Sequence, residues 1–200
     1  MKIAIVGTAF RKQDAKYLTK ELYFKMVRDA KTQVGIYCLR TSEYLHLEGD
    51  NVGQLDISVT KQPVELVSGG AAGADHIAVS LYLMNVADSL TLHLPCGWNH
   101  DERYFHGSVA NTANYYHQQF SKKLGKDPLQ TLDELITTMP AGFSHKCHNG
   151  FKARNLEVGK ADVLLAYTFG TGDKPGSPGT LHTWDNSPAQ LKVHRRIQEL

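Results

Sequence analysis

The stretch Val64-Glu65-Leu66-Val67-Ser68-Gly69-Gly70-Ala71-Ala72-Gly73-Ala74-Asp75 passes from an apolar, β-branched run into small residues, and Ile77, Ala78, Leu81 and Met84 then recur over Asp75 to Met84. A short apolar run bounded by glycines reads as a buried strand, and apolar residues three and four apart read as one face of a helix. The unit is strand, tight turn, helix. The same grammar holds on either side of it. Lys2 to Val6 is a run that stops at Gly7-Thr8, and Leu18, Leu22 and Met26 recur along Ala15 to Ala30, with Asp14 as the expected N-cap. Leu90 to Leu94 ends at Pro95-Cys96-Gly97, Asp162 to Tyr167 runs into a Gly/Pro-rich stretch from Gly170 to Gly179, and Leu191 to Ile197 predicts a last strand. Helices are expected over Ala113 to Leu124 and Leu129 to Met139. Val34 to Thr60 breaks the pattern: its apolar residues are scattered, and Gly49, Asp50, Asn51 and Gly53 look like a turn, so residues 34–60 read as a hairpin or irregular insertion. Strands alternating with helices predict an α/β fold, a Rossmann-like three-layer αβα sandwich with a mostly parallel sheet, in one domain over 1–200.

Composition narrows the function classes. The 200 residues are 42% hydrophobic and 21% charged with a formal net charge of +2, enough to bury a core and without a long basic run. Phosphate neutralisation dominates nucleic-acid affinity, so this balance argues against nucleic acid and for a small-molecule partner. The longest clean apolar run, Val163 to Tyr167, is far short of the roughly eighteen residues of a membrane span, and the amino terminus lacks a leader pattern. Cys38, Cys96 and Cys147 are odd in number and form no CxxC pair, which argues against a disulfide framework and a cysteine-rich zinc site and favours a reducing cytoplasm. No cofactor and no metal are expected, and a homo-oligomer stays open.

In an open parallel sheet the ligand crevice lies beyond the carboxyl ends of the strands. Gly7-Thr8, Ser68-Gly69-Gly70-Ala71, Pro95-Cys96-Gly97 and Thr168-Phe169-Gly170 all leave predicted strands at that end. The glycine segment before Asp75 also opens a helix, where unpaired N–H groups and the positive dipole end favour phosphate, though the same glycines also suit a tight turn. Replacing Gly70 with valine is therefore expected to block approach to phosphate while leaving the domain folded. Asp75 itself reads first as a helix-start carboxylate. A second segment, Pro175-Gly176-Ser177-Pro178-Gly179-Thr180, taken alone reads as a surface loop.

Taken in order, Ile3-Ala4-Ile5-Val6-Gly7-Thr8, Val67 through Asp75, Ala153-Arg154-Asn155, Ala161-Asp162-Val163-Leu164-Leu165-Ala166 and Pro175 through Thr180 resemble the superfamily that joins the DNA-processing Smf/DprA proteins to the LOG, or "lysine decarboxylase-like", proteins, known as SLOG. The resemblance implies a Rossmann-like fold that binds nucleotides or nucleotide-derived molecules. With Pro95 added from the loop after the third predicted strand, it implies ligand contacts from Gly7, Thr8, Ser68, Gly69, Gly70, Ala71, Arg154, Asn155, Gly176, Ser177, Gly179, Thr180 and Thr183. LOG phosphoribohydrolases cleave the N-glycosidic bond of a nucleoside monophosphate and carry a PGGxGTxxE motif whose glutamate is catalytic. Here Ser177 stands at the second glycine and Thr183 at the glutamate. A threonine hydroxyl cannot supply the negative charge that steadies an oxocarbenium-like transition state. Asp75 and Asp185 are the nearest carboxylates left for catalysis, with Arg154 to offset phosphate charge. DprA-like proteins usually carry an arginine in the first glycine motif, where this chain has Ala72. The expected function is binding of a nucleotide-derived ligand as a sensor, a sequestering protein or an atypical nucleotide-processing protein. The alternatives are LOG-like hydrolysis and, behind it, DprA-like binding of single-stranded DNA.

Three further groups stand out. Asn114-Tyr115-Tyr116-His117, after a loop with Arg103, Tyr104 and His106, reads foremost as a helix that packs Tyr116 and Phe120 and turns His117 to solvent, and otherwise as a base-stacking or proton-shuttling group. His145-Lys146-Cys147-His148 reads as a chance loop cluster, since a structural zinc wants four converging ligands. His93 reads as a satisfied core or edge histidine.

Overall fold

The computed structural model describes residues 1–45, 55–102 and 104–200. Along the chain run β1 (Lys2–Gly7), α1 (Lys20–Cys38), β2 (Leu39–Leu45), β3 (Leu55–Lys61), β4 (Glu65–Ser68), α2 (His76–Leu83), β5 (Ser89–Leu94), β6 (Gly97–Asn99) and β7 (Tyr104–His106). Then follow α3 (Ala110–Leu124), α4 (Pro128–Thr138), β8 (Phe143–Cys147), α5 (Gly150–Val158), β9 (Val163–Thr168), α6 (Pro178–Asn186) and β10 (Leu191–Arg196). Six of these strands form one sheet in the order β10-β9-β1-β4-β5-β8, and every pairing in it is parallel. The protein is an α/β three-layer sandwich of Rossmann-like architecture.

Strand alternation builds the layers. Ile3, Ile5, Leu66, Leu165 and Tyr167 face α1 to α4 and join a core with Met26, Ile77, Phe120 and Leu132. The intervening Ala4, Val6, Val67, Leu164 and Ala166 face the other way, onto Val158 of α5 and Trp184 of α6. Right-handed crossovers explain the division: β1, β4, β5 and β8 follow one another in one direction across the sheet, and the chain then returns to β9 and β10 on the far side of β1. The strand order therefore reverses between β1 and β9, and a ligand crevice belongs outside their carboxyl ends.

The helix expected to close at Ala30 runs on to Cys38, because Met26, Ala30 and Val34 continue one buried stripe at a spacing of four. It starts at Lys20, where the Thr19 hydroxyl accepts from Leu22 N at 3.1 Å, and Asp14 lies in a preceding 3-10 turn. The hairpin expected within 34–60 takes the form of an antiparallel pairing of Leu39–Leu45 with Leu55–Lys61, and its predicted turn at residues 49–53 lies outside the described residues. On the far side of the sheet from the sequence-apparent helices, α5 and α6 escape apolar periodicity for a common reason. Their buried positions include Arg154 and Asn155 in one and Thr180 and Thr183 in the other. β8 is an edge strand with only Phe143 buried, so it carries no apolar run.

Asp29 of α1 fastens the reversal point from beneath. It accepts from the buried Tyr167 hydroxyl on β9 at 2.8 Å and from Arg195 Nε on β10 at 2.8 Å. Burial and the Asp29 charge together hold the Tyr167 hydroxyl protonated well above the ordinary phenol range.

Candidate functional site at the carboxyl ends of the sheet

The glycine turn after β4 holds an anion of its own. Asp75, in the 3-10 turn that precedes α2, is 5% exposed, and its carboxylate accepts from Gly7 N at 3.2 Å and from Arg154 Nη1 at 3.1 Å. The Ala71 backbone N–H also donates to it. Burial pushes the Asp75 carboxyl up, opposed by Arg154 and by these backbone donors. The N–H groups that sequence reasoning offered to a ligand at Gly7 and to phosphate at Ala71 are thus turned toward Asp75.

Arg154, on α5 and 8% exposed, reaches this turn by donating from the same Nη1 to the Gly69 carbonyl at 2.7 Å. A Cβ at Gly69 would overlap Arg154 Nη1 and come within 2.6 Å of Asp75 Oδ2, so the absent side chain is what admits the guanidinium. The Arg154 Nε is buried without a hydrogen-bond partner. Gly70 has φ +63°, and its carbonyl accepts from His117 Nε2 at 3.1 Å. A valine there would adopt left-handed backbone with its Cβ 2.6 Å from Leu94 Cδ2. The substitution reaches the core, so we expect Gly70→Val to cost about 2 kcal/mol or more in urea unfolding, beyond any effect on binding. A variant as stable as the wild type would show that the turn relaxes freely.

His117 is 1% exposed rather than turned to solvent. Ala113, His117, Phe120 and Leu124 share the buried face of α3, so the helix places His117 inward, with Tyr116 half-buried beside it. Its Nε2–H donates to Gly70, which leaves Nδ1 without a proton and without a partner.

The remaining sequence-derived residues divide in two. Thr8 lies at the strand-order reversal, with its N–H on the Tyr167 carbonyl at 2.9 Å and its hydroxyl accepting from Phe10 N at 2.9 Å. The Ser68 hydroxyl donates to the Asp75 carbonyl at 2.8 Å, and the Pro95 carbonyl accepts from Gly150 N at 2.8 Å, which seats the start of α5 at the end of β5. The Gly179 carbonyl accepts from Asn155 Nδ2 at 3.0 Å and from Thr183 Oγ1 at 3.3 Å, and Gly176 N donates to Thr168 Oγ1 at 3.1 Å. The second glycine segment is thereby tied to α5 and β9 and opens α6, with Ser177 as N-cap and Thr180 buried. Asp185, on α6 and half-exposed, pairs at 3.0 Å with Lys174, the residue before the second glycine segment.

Two residues of this end gave no sequence signal. The Arg11 guanidinium lies 4.6 Å from the centre of the Tyr116 ring and 5.7 Å from that of Phe151, and Arg154 lies 5.7 Å from the same Phe151 ring. Phe151 stands at the second position of α5, a helix that its apolar pattern did not announce. The arrangement is two guanidinium groups around aromatic faces beside a glycine turn, a setting that can hold an anionic group and stack a planar one.

The His145–His148 segment belongs to β8 and the residue after it, and His148 Nε2 lies 2.9 Å from His93 Nδ1. His93 is thus satisfied by a second imidazole, and burial lowers it to about 4. Among the described residues no three His, Cys, Asp or Glu side chains are grouped to hold a metal ion. A groove of about 730 Å³ between α3 and α4, lined by Tyr104, Tyr115, Gln118 and Gln130 among others, shares no residue with the arginine cluster. No helix among the described residues is long and apolar enough to cross a membrane.

The chain is similar to the uncharacterized protein R261 of Acanthamoeba polyphaga mimivirus, at 29% identity over 196 residues that cover 97% of this chain and 94% of that protein. No protein-family model matches the chain. No solved structure matches it.

Proposed function

We propose that the protein binds a nucleotide or nucleotide-derived small molecule at the carboxyl ends of β1, β4, β5 and β9, as a sensor or sequestering protein of the SLOG kind acting in the cytoplasm. The observation that carries this reading is the way the candidate carboxylates are used. Asp75 is buried against Arg154 and two backbone N–H groups, and Asp185 is tied to Lys174 at the surface. Thr183, at the position of the LOG glutamate, spends its hydroxyl on the Gly179 carbonyl. Asp75 is buried rather than solvent-facing, and Asp185, although exposed near the second glycine segment, is engaged by Lys174, so neither stands as an unpaired carboxylate to steady a glycosidic transition state or position water. The arginines and aromatic rings, by contrast, are suited to hold a ligand without transforming it.

A panel of nucleosides and their 5′-monophosphates, followed by thermal melting and by release of free base, tests this. A monophosphate is expected to raise the melting temperature with no base released, and Arg154→Ala is expected to weaken the monophosphate more than the nucleoside. Failure of every nucleotide to stabilise the protein sinks the binding reading, and steady base release sinks its non-catalytic part.

A further inference from the structure

We propose that Arg11 is a movable second guanidinium of this site and that the group it takes is a phosphoryl group. The inference rests on the carboxyl-end site proposed above, though not on the ligand's being a nucleotide. Arg11 is presented by strained backbone. Phe10 and Lys12, on either side of it, both have φ +51°, a conformation that bulky residues rarely adopt. Phe10 is fixed there by burial, at 3% exposure, by an edge-to-face contact with Phe169 at 5.9 Å between ring centres and by its N–H on the Thr8 hydroxyl. Strain of this kind persists where surrounding structure over-determines it, and it clusters at ligand clamps.

The exposed Arg11 side chain makes no hydrogen bond or ion pair with a carboxylate among the described residues and feels Asp75 only at longer range; its contacts are the faces of Tyr116 and Phe151. Such cation–π contacts are weak at exposed sites, so a better partner can draw the guanidinium away from them. Arg154, also 5.7 Å from the Phe151 ring, is bonded through Nη1 alone, and its buried Nε has no partner. Asp75 supplies a single negative charge that feels both guanidinium groups, and the proton affinity of Arg154 is lowered first by burial and also by the nearby Arg11. The cluster is one anion short. A carboxylate is satisfied by a single planar fork, whereas a phosphoryl group offers three terminal oxygens to forks that arrive from two directions, here the loop after β1 and helix α5.

The test is calorimetric titration of the full chain with inorganic pyrophosphate, a nucleoside and its 5′-monophosphate, for wild type, Arg11→Ala and Arg11→Lys. Arg11→Ala is expected to weaken pyrophosphate and the monophosphate about tenfold or more while leaving nucleoside affinity unchanged, with partial recovery in Arg11→Lys. The wild-type pyrophosphate affinity should fall with added salt, and less steeply in Arg11→Ala. A folded Arg11→Ala variant that binds pyrophosphate as the wild type does overturns the inference, as does a variant that melts earlier with unchanged affinity, which makes Arg11 a packing residue. Arg11-dependent binding of pyrophosphate without binding of any nucleoside or nucleotide upholds the phosphoryl site and removes the nucleotide reading. Nucleotide binding indifferent to Arg11 does the reverse.

Discussion

Asp75→Ala is expected to cost about 3–5 kcal/mol of folding stability, because removing one partner of a buried ion pair leaves the other charge uncompensated. Arg154 would lose its carboxylate while keeping only the Gly69 carbonyl, and Gly7 N and Ala71 N would lose their acceptor. Arg154, 8% exposed, has no easy route to water, whereas the half-buried Gly7 and Ala71 can regain part of what they lose. Asp75→Asn should cost less, because the amide oxygen still accepts one hydrogen bond, although its NH2 then faces the guanidinium. Urea unfolding measures both variants. The expected signature is a lower midpoint with an unchanged slope, since the unfolded chain exposes the same surface. A loss in Asp75→Ala below about 1 kcal/mol would mean that the turn repacks around Arg154, and the carboxylate would cease to be the organiser of this end of the sheet.

The sheet was legible because its strands are buried on both faces and so read as continuous apolar runs: Lys2 to Val6, Val64 to Val67, Leu90 to Leu94 and Asp162 to Tyr167 each lie on a strand of the parallel sheet. The glycine turns were legible as turns. What the sequence concealed was the object they enclose, since a buried carboxylate that takes backbone donors for itself has the same residue pattern as a phosphate cradle. Arg154 was legible as a residue of this end through a resemblance in order. Its helix was not, because a helix that buries Arg154 and Asn155 shows no apolar stripe. Arg11 was invisible for a different reason. Left-handed backbone is normally announced by glycine or asparagine, and here it falls on Phe10, held by its tertiary contacts, and on the exposed Lys12. The inward orientation of His117 was concealed likewise, by a helix phase that only the packing of Phe120 and Leu124 fixes.

Acidification from pH 7 to pH 5 is expected to destabilise the protein by roughly 2 kcal/mol for each of two buried histidines, His76 and His117, because the unfolded chain takes up protons there that the folded one refuses. His76 is lowered to about 3 and His117 to about 4, both first by burial, and the nearby His117 lowers His76 further. The sign follows from linkage. A folded pKa below the unfolded value near 6.5 means more protons bound in the unfolded state at intermediate pH, so stability is full above about 6.5 and is lost progressively as pH falls toward the folded values. His117 shows why its folded pKa is low in atomic terms. Its Nε2–H is committed to the Gly70 carbonyl, and a second proton would have to sit on Nδ1, which is buried without an acceptor. Protonation therefore strains the link between α3 and the glycine turn, so loss of ligand binding should accompany the loss of stability. Urea midpoints measured from pH 7.5 to pH 5 follow the first effect, and His117→Gln separates the two residues: glutamine can still donate to Gly70 but does not titrate. That variant should lose the share of the pH dependence that belongs to His117, roughly 2 kcal/mol over this range, while His76 and the partly buried His93 keep theirs. A pH profile unchanged by His117→Gln would mean that the imidazole reaches water on protonation, and the coupling of acid sensitivity to the glycine turn would fall with it.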